Sequence, residues 1–389
     1  MTDLFWLLLP VAAASGWYLA RRRQGYELAS RQVKQLPADY LKGLNYILNE
    51  QPDKAIEVFI NMLEVQSDTV ETHMALGNLF RRRGEVDRAI RIHQNLIARP
   101  ALSDEARYHA LLELGTDYMR AGLLDRAERL FRELLDAHMH IRPALQQLLD
   151  IKQQEQDWEE AIQYARRFES VSGRSMYRQI AQYHCEQATA AITEGDSRRA
   201  RDLTRRALSE DPACVRASLL LGRMELDAGQ PRLAIQALQQ IEQQNPGFLP
   251  EGLAMLKQAY ASSGRDGDYV RYLQGICEQH GGVSVILALC DEICQHQGIT
   301  AGIEFLRQEM DKRPSIKGLD RLAELSLDVA EGEARRFLQI AHKFSSRMKS
   351  RRPVYCCEHC GFSGKTLHWQ CPSCKYWNTI KPIQGIEGE

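Results

Sequence analysis

The sequence predicts a mostly α-helical protein: a superhelix of repeated helix pairs, with one transmembrane helix before it and a small four-thiolate metal module after it. Three observations carry this prediction. An uncharged apolar run opens the chain, small residues recur through its middle at a period near 34, and five of its ten cysteines crowd into nineteen residues near its end. Leu, Ala, Gln, Arg and Glu dominate the composition, which is helix-forming usage. Lys plus Arg is 50 and Asp plus Glu is 51, a balance that points to no nucleic-acid partner.

Leu4 to Ala20 is seventeen residues without a charge, and Arg21, Arg22 and Arg23 follow at once. A helix of that length rises about 25 Å, slightly short of the roughly 30 Å hydrocarbon core, so it can span with some local thinning. Trp6, Trp17 and Tyr18 sit near the two ends, where interfacial aromatics belong. Two alternatives stay open: a buried core helix, and a cleaved signal peptide, for which Ala12–Ser15 offers small residues. A signal peptide carries its positive charge before the apolar run, whereas here it comes after. Residues 1–20 therefore read as a single-pass anchor and 21–36 as a juxtamembrane linker. The arginines stay inside, so the N-terminus points outward and the rest of the chain is cytoplasmic. Thiols there stay reduced, and clustered cysteines read as metal ligands or catalytic groups before disulfides.

Between the anchor and the cysteines the chain repeats itself. Gly43, Gly77 and Gly115 are each followed three residues on by an aromatic (Tyr46, Phe80, Tyr118), and then by the triplets Asp53-Lys54-Ala55, Asp87-Arg88-Ala89 and Asp125-Arg126-Ala127. Ala55, Ala89, Ala127, Ala161, Ala200 and Ala234 recur at intervals of 34, 38, 34, 39 and 34. Gly195, Gly229, Gly264, Gly298 and Gly332 recur at 34, 35, 34 and 34, as turn residues would. The two longer intervals imply stretched helices or loops. This pattern resembles the tetratricopeptide repeat, whose small residues let two antiparallel helices pack closely. The resemblance spans residues 37–345, about nine units, and is least marked beyond about residue 265. It implies a groove lined by the first helix of each unit, suited to an extended peptide or a partner helix. In that register Asn78, Arg81, Arg82, Met119, Arg120 and Arg223 face the groove. "RRRGEVDR" has two readings, a basic partner site and a solvated helix end leading into a turn.

The array offers little for catalysis. His184-Cys185 and Cys290/Cys294, with Cys277, His280 and His296 nearby, are the candidates, and core packing is the expected role of these thiols. No GxSxG, P-loop, HExxH or dinucleotide fingerprint occurs. The protein reads as no enzyme.

After a basic linker at 346–352, residues 353–382 hold two C-x-x-C knuckles, Cys357/Cys360 and Cys371/Cys374, ahead of a tail at 383–389. In each knuckle two thiolates converge on one metal while turn N–H groups point at the sulfurs. Gly361 frees the first turn and Pro372 presets the second. The four sulfurs make a tetrahedral site suited to zinc or to one rubredoxin-type iron, with no position left for a reactive water. Cys356 would give C-x-x-x-C, so it reads as a spectator; His359 and His368 find no vacancy. Thirty residues bury too little surface to fold alone, so metal supplies the stability. Phe362, Leu367, Trp369, Tyr376 and Trp377 are more aromatic and apolar surface than such a module can hide. Some of them are expected to dock on the last helices of the array.

The order of parts, with "LLLPVAAASGWYLARRR", "GNLFRRRGEVDRAIRIHQ" and "HWQCPSCKYWNTIKPI", closely resembles the lipopolysaccharide assembly protein B family of Gram-negative bacteria, essentially end to end. The resemblance implies a place on the cytoplasmic face of the inner membrane and a C-terminal rubredoxin-like module that binds iron. It also implies an adaptor that helps the membrane-bound AAA+ protease FtsH degrade the deacetylase committing precursor to lipid A. Lipopolysaccharide assembly proteins and an inner-membrane antagonist are its further implied partners. A general scaffold for membrane or lipopolysaccharide complexes is the alternative, and an electron-transfer protein a more distant one.

Overall fold

The computed structural model describes residues 38–49, 51–65 and 70–389. The expected anchor and juxtamembrane linker lie outside the described residues. Among those described, no helix is long and apolar enough to cross a membrane.

Among the described residues, eighteen α-helices form nine consecutive pairs. The first four pairs are α1 (Ala38–Leu48) with α2 (Pro52–Val65), α3 (Val70–Arg82) with α4 (Val86–Ile97), α5 (Asp104–Arg120) with α6 (Leu124–Asp136), and α7 (Ile141–Glu155) with α8 (Trp158–Ser172). The next three are α9 (Tyr177–Thr193) with α10 (Ser197–Glu210), α11 (Val215–Asp227) with α12 (Pro231–Gln244), and α13 (Leu249–Ser262) with α14 (Asp266–Gln279). The last two are α15 (Val283–Gln297) with α16 (Ile299–Lys312), and α17 (Ile316–Val329) with α18 (Gly332–Arg351). The long alanine intervals have a local cause. Helices α5 and α9 are 17 residues each, against 13 for α3 and α11.

Packing divides the chain into two compact units, one ending at Ile151 and one running from Lys152 to Glu389. Each is treated by itself. In the first, the repeated glycines mark where the two helices of a pair touch. A Cβ at Gly43, Gly77 or Gly115 would lie 2.5, 2.4 or 2.6 Å from the ring of Phe59, His93 or Phe131. Gly222 meets Leu238 at 2.5 Å in the same way in the second unit. The six repeating alanines are all 0% exposed, because a larger side chain would push the pair apart. The basic residue of each triplet also has a place: Lys54, Arg88 and Arg126 lie over the rings of Tyr46, Phe80 and Tyr118, at 5.8, 5.3 and 5.8 Å. Aromatic and cation, eight residues apart, thus cap the same turn from the solvent side.

Turn glycines Gly195, Gly229, Gly264, Gly298 and Gly332 take φ of 82°, 67°, 66°, 96° and 62°, the left-handed region that a side chain disfavours. Helix pairs continue through Arg351, so the fading of the sequence pattern beyond residue 265 marks substitution inside the same architecture. The stretch expected as a basic linker is helical to Arg351. No breaker precedes Pro353, and Ser345, Ser346 and Lys349 all bind Asp320 on α17, at 2.9, 2.6 and 2.5 Å.

Behind α18 comes a three-stranded antiparallel sheet ordered β2-β1-β3, from β1 (Tyr355–Cys357), β2 (Ser363–Gly364) and β3 (Ile380–Pro382). Tyr355 pairs with Gly364 on one side and Pro382 on the other.

Candidate functional site

Strand β1 sets the first knuckle. Side chains alternate along a strand, so buried Tyr355 and Cys357 face inward and Cys356 faces away. Cys356 Sγ lies 3.8 and 3.9 Å from the carbonyls of Cys357 and Gly361. Each knuckle then closes on a left-handed residue. Gly361 (φ 76°) donates its N–H to the Cys357 carbonyl, and Lys375 (φ 61°) donates to the Cys371 carbonyl, both at 2.9 Å. The first of these residues was legible as a glycine. The second is a lysine, which sequence reasoning passed over in favour of Pro372.

The two turns bring the sulfurs of Cys357, Cys360, Cys371 and Cys374 within 4.8 Å of one another. Cys357 and Cys374 are 3.8 Å apart, and Cys360 and Cys371 are 3.7 Å apart. A tetrahedron with metal–sulfur bonds of about 2.3 Å has edges of about 3.8 Å, so the donor set fits one tetrahedral metal ion. Among the described residues this is the one grouping of metal-type side chains. Burial pushes the Cys357 thiol up, but the Thr379 hydroxyl and the N–H groups of Cys360 and His359 outweigh it and bring it down to about 6. Those donors are the ones a thiolate ligand needs. His359 stacks on Tyr376 at 4.0 Å and His368 packs edge-on to Phe362, and neither joins the sulfurs.

The module is built into the second unit. Trp369 stacks on Phe248 at 5.7 Å, with the Arg216 guanidinium 5.9 Å from its ring. Trp377 meets Trp158 and Tyr183 edge-on at 6.0 and 5.8 Å, and its Nε1 donates to Gln153 Oε1 at 2.7 Å. Tyr355 donates its hydroxyl to Glu251 at 2.5 Å. The tail follows suit. Ser284 donates its N–H and hydroxyl to the Glu389 carboxylate at 3.1 and 2.7 Å, and Lys317 pairs with that carboxylate. The aromatic residues therefore dock on α7, α8, α9, α11 and the start of α13, not on the last helices as expected, and it is the tail that reaches α15 and α17. The reason is chain direction: α18 ends beside its own pair, and the module folds back across the faces that the first helices present.

In the first unit a cavity of about 600 Å³ opens along α1, α3 and α5, lined by Tyr40, Met74, Asn78, Arg82, Ser103 and His109 among others. Two of the six groove residues read from sequence, Asn78 and Arg82, line it. Arg81 is committed elsewhere: it bonds Glu113 Oε2 at 2.5 Å, Asp117 Oδ1 at 2.8 Å and Asn78 Oδ1 at 2.7 Å. Met119 is half-buried and Arg120 is exposed, but neither lines that cavity. Arg223, exposed on α11, belongs to the second unit.

Sequence reasoning missed the partner of Arg81. His93 occupies the position that Phe59 and Phe131 hold in neighbouring pairs, and it is 0% exposed. Its Nδ1 lies 2.5 Å from Asp117 Oδ2, also 0% exposed, so Arg81, Asp117 and His93 form one buried chain joining α3, α4 and α5. A polar residue sixteen positions after Gly77 was the available signal. Cys185 and Cys290 are 0% exposed and Cys277 is 9%, core residues as expected, whereas Cys294 is half-buried at the edge of the same core.

Residues 355–382 match a family described as a rubredoxin metal binding domain, and residues 72–106 and 185–248 match tetratricopeptide repeat families. Lipopolysaccharide assembly protein B of Escherichia coli (strain K12) is 38% identical over 389 residues, covering 100% of both chains. The protein of that name from Haemophilus influenzae is 36% identical over 397 residues, again covering 100% of both. Among solved structures, the C-terminal part of a repeat-containing protein of Cytophaga hutchinsonii superposes with a TM-score of 0.39 at 14% identity, covering 69% of this chain and 99% of that one. A repeat array carrying a four-cysteine metal-binding module, matched end to end by these curated relatives, belongs to the lipopolysaccharide assembly protein B family.

Proposed function

We propose that this protein is an inner-membrane-anchored cytoplasmic adaptor that restrains lipopolysaccharide synthesis. In this reading it presents the deacetylase committing precursor to lipid A to the membrane-bound AAA+ protease FtsH. Lipopolysaccharide assembly proteins and an inner-membrane antagonist are its other partners. The observation that carries the reading is the metal module's position. Its four sulfurs close on each other, leaving no coordination site for substrate, and its aromatic residues brace four first helices, α7, α9, α11 and α13. Such a module stiffens a binding surface and does no chemistry of its own. Cys357, Cys360, Cys371 and Cys374 hold one iron of rubredoxin type, with zinc the alternative; when bound, the metal cross-links the two knuckles. Asn78 and Arg82 sit in a groove open to a partner, and anchoring at residues 1–20 would raise the array's effective concentration beside a membrane protease.

The test is depletion of the protein in its host, following the half-life of the deacetylase together with lipopolysaccharide level. A lengthened half-life with excess lipopolysaccharide supports the adaptor. An unchanged half-life overturns the proteolytic step and leaves a tethered scaffold.

A further inference from the structure

The last helix of a repeat array ordinarily turns a polar face to water, because no further unit covers it. Helix α18 does the opposite. Phe337, Ile340 and Phe344 are 71, 69 and 65% exposed, more than any other aromatic or aliphatic side chain of the second unit. Spacings of three and four put them on one stripe. Arg336, Lys343, Arg347 and Arg351 run alongside it, and none has a carboxylate partner among the described residues. The opposite face is the docked one: Ser345 is 1% exposed and, with Ser346 and Lys349, holds Asp320. Glu333, in the first turn, is the one acid near the exposed stripe, at the helix end where an acid is favourable.

We propose that this face of α18 lies on an anionic phospholipid surface, with the three apolar side chains inserted at the headgroup boundary and the four cations on lipid phosphates. Apolar residues edged by unpaired Lys and Arg are the signature of a helix lying in the membrane interface. The same cations count against a second copy of the chain as occupant. Antiparallel two-fold pairing of the stripe would set the row of Arg336, Lys343 and Arg347 against the same basic row of the other copy. Two aromatics and one aliphatic make a weak membrane contact alone, and such a contact gains from a second attachment in the same chain. The apolar run Leu4–Ala20 is expected to provide one.

The test uses the full chain reconstituted in vesicles, with Phe344→Trp placing an indole in the stripe. Emission of the variant minus that of the wild type reports position 344. In vesicles containing phosphatidylglycerol with brominated acyl chains, the added emission should fall about threefold relative to the same vesicles without bromine. In phosphatidylcholine vesicles with equal bromination it should change little. Adding Arg336→Gln, Lys343→Gln and Arg347→Gln, or raising the salt, should abolish the difference between the two lipids. Phe337→Asp with Ile340→Asp should abolish the quenching in the anionic vesicles. All these positions are solvent-facing, and unchanged helix and metal content confirm that the variants fold. Equal emission with and without bromine in anionic vesicles overturns the proposal. So does shielding of the indole that tracks protein concentration (self-association), or that requires an added acidic protein.

Discussion

The Trp377 indole donates a hydrogen bond to the side chain of Gln153, across 224 positions of sequence, and two rings, Trp158 and Tyr183, meet the indole edge-on. This contact ties the second cysteine knuckle to the array. Two aromatic pairs and one half-buried hydrogen bond, together with the apolar area they cover, give Trp377→Ala an expected cost of roughly 2–4 kcal/mol. Tyr376, its neighbour, is 53% exposed and touches only His359 among the rings, so Tyr376→Ala should cost about 0.5 kcal/mol. Denaturant unfolding of the two variants checks the difference, and equal losses would show that Trp377 is not an anchor.

Removing the metal should release the module from the second unit. Without it, Trp369 leaves Phe248 and Trp377 leaves Tyr183, so tryptophan emission should shift to the red. Trypsin should then cut after Arg351, where helix α18 ends, since Pro353 protects the bond after Arg352. Structural zinc in small domains contributes on the order of 10–16 kcal/mol, far more than the docking contacts can replace. Cys371→Ser should lose the metal, whereas Cys356→Ser, whose sulfur faces away from the site, should keep one metal per chain by elemental analysis.

Arg81 and Arg82 are neighbours with opposite expected roles. Arg81 neutralises Asp117, which is 0% exposed, so Arg81→Ala or Asp117→Ala leaves an uncompensated buried group and should cost roughly 3–5 kcal/mol. Arg82 is exposed on the lining of the groove, so Arg82→Ala should leave stability within about 0.5 kcal/mol. Any loss in partner capture by that variant then reads as a surface effect. Thermal unfolding and co-purification of partners, run side by side, separate the two.

Two glycines test the rule for pair spacing. A Cβ at Gly115 would sit 2.6 Å from Phe131, so Gly115→Ala should destabilise by roughly 1–3 kcal/mol as the ring is displaced. Gly275, inside α14, has nothing within 4 Å of its would-be Cβ. There the gain in helix propensity acts alone, and Gly275→Ala should stabilise by up to about 1 kcal/mol. Opposite signs in denaturant midpoint would bear the rule out.

The spacing of Gly and Ala made the helix pairs legible because both residues answer to one constraint, the closeness of two helix axes. The two knuckles were legible because their span is fixed by the metal. Neither signal says where the module docks. Trp369 and Trp377 could be counted as excess surface, but their partners Phe248, Trp158 and Tyr183 belong to units whose own pattern gives them no special mark. The pairing of Arg81 was not legible for a related reason. Its partners Glu113 and Asp117 lie 32 and 36 residues away, in the next unit, and the repeat register points an arginine at the groove without saying what fills its charge. The expected linker at 346–352 was misjudged because a run of basic residues looks solvated, whereas Lys349 is bound to Asp320.

Asp320 makes the docking of α18 pH-dependent. Burial alone would raise its carboxyl, but hydrogen bonds from Lys349, Ser346 and Ser345 outweigh burial and hold it below the usual aspartate value. A depressed folded-state pKa means that the unfolded chain takes up the proton first as pH falls. The stabilisation is therefore complete at neutral pH, begins to fade near the unfolded value of about 4, and is gone once pH passes below the folded value. Asp320→Asn should lower stability at pH 7 while differing little from the wild type near pH 2. Amide exchange within Gly332–Arg351 is the readout, since the loss should be greatest in the helix that Asp320 holds. A stability gap that stayed constant from pH 7 to pH 2 would mean that the charge on Asp320 does not hold α18 in place, and that the serine hydroxyls suffice.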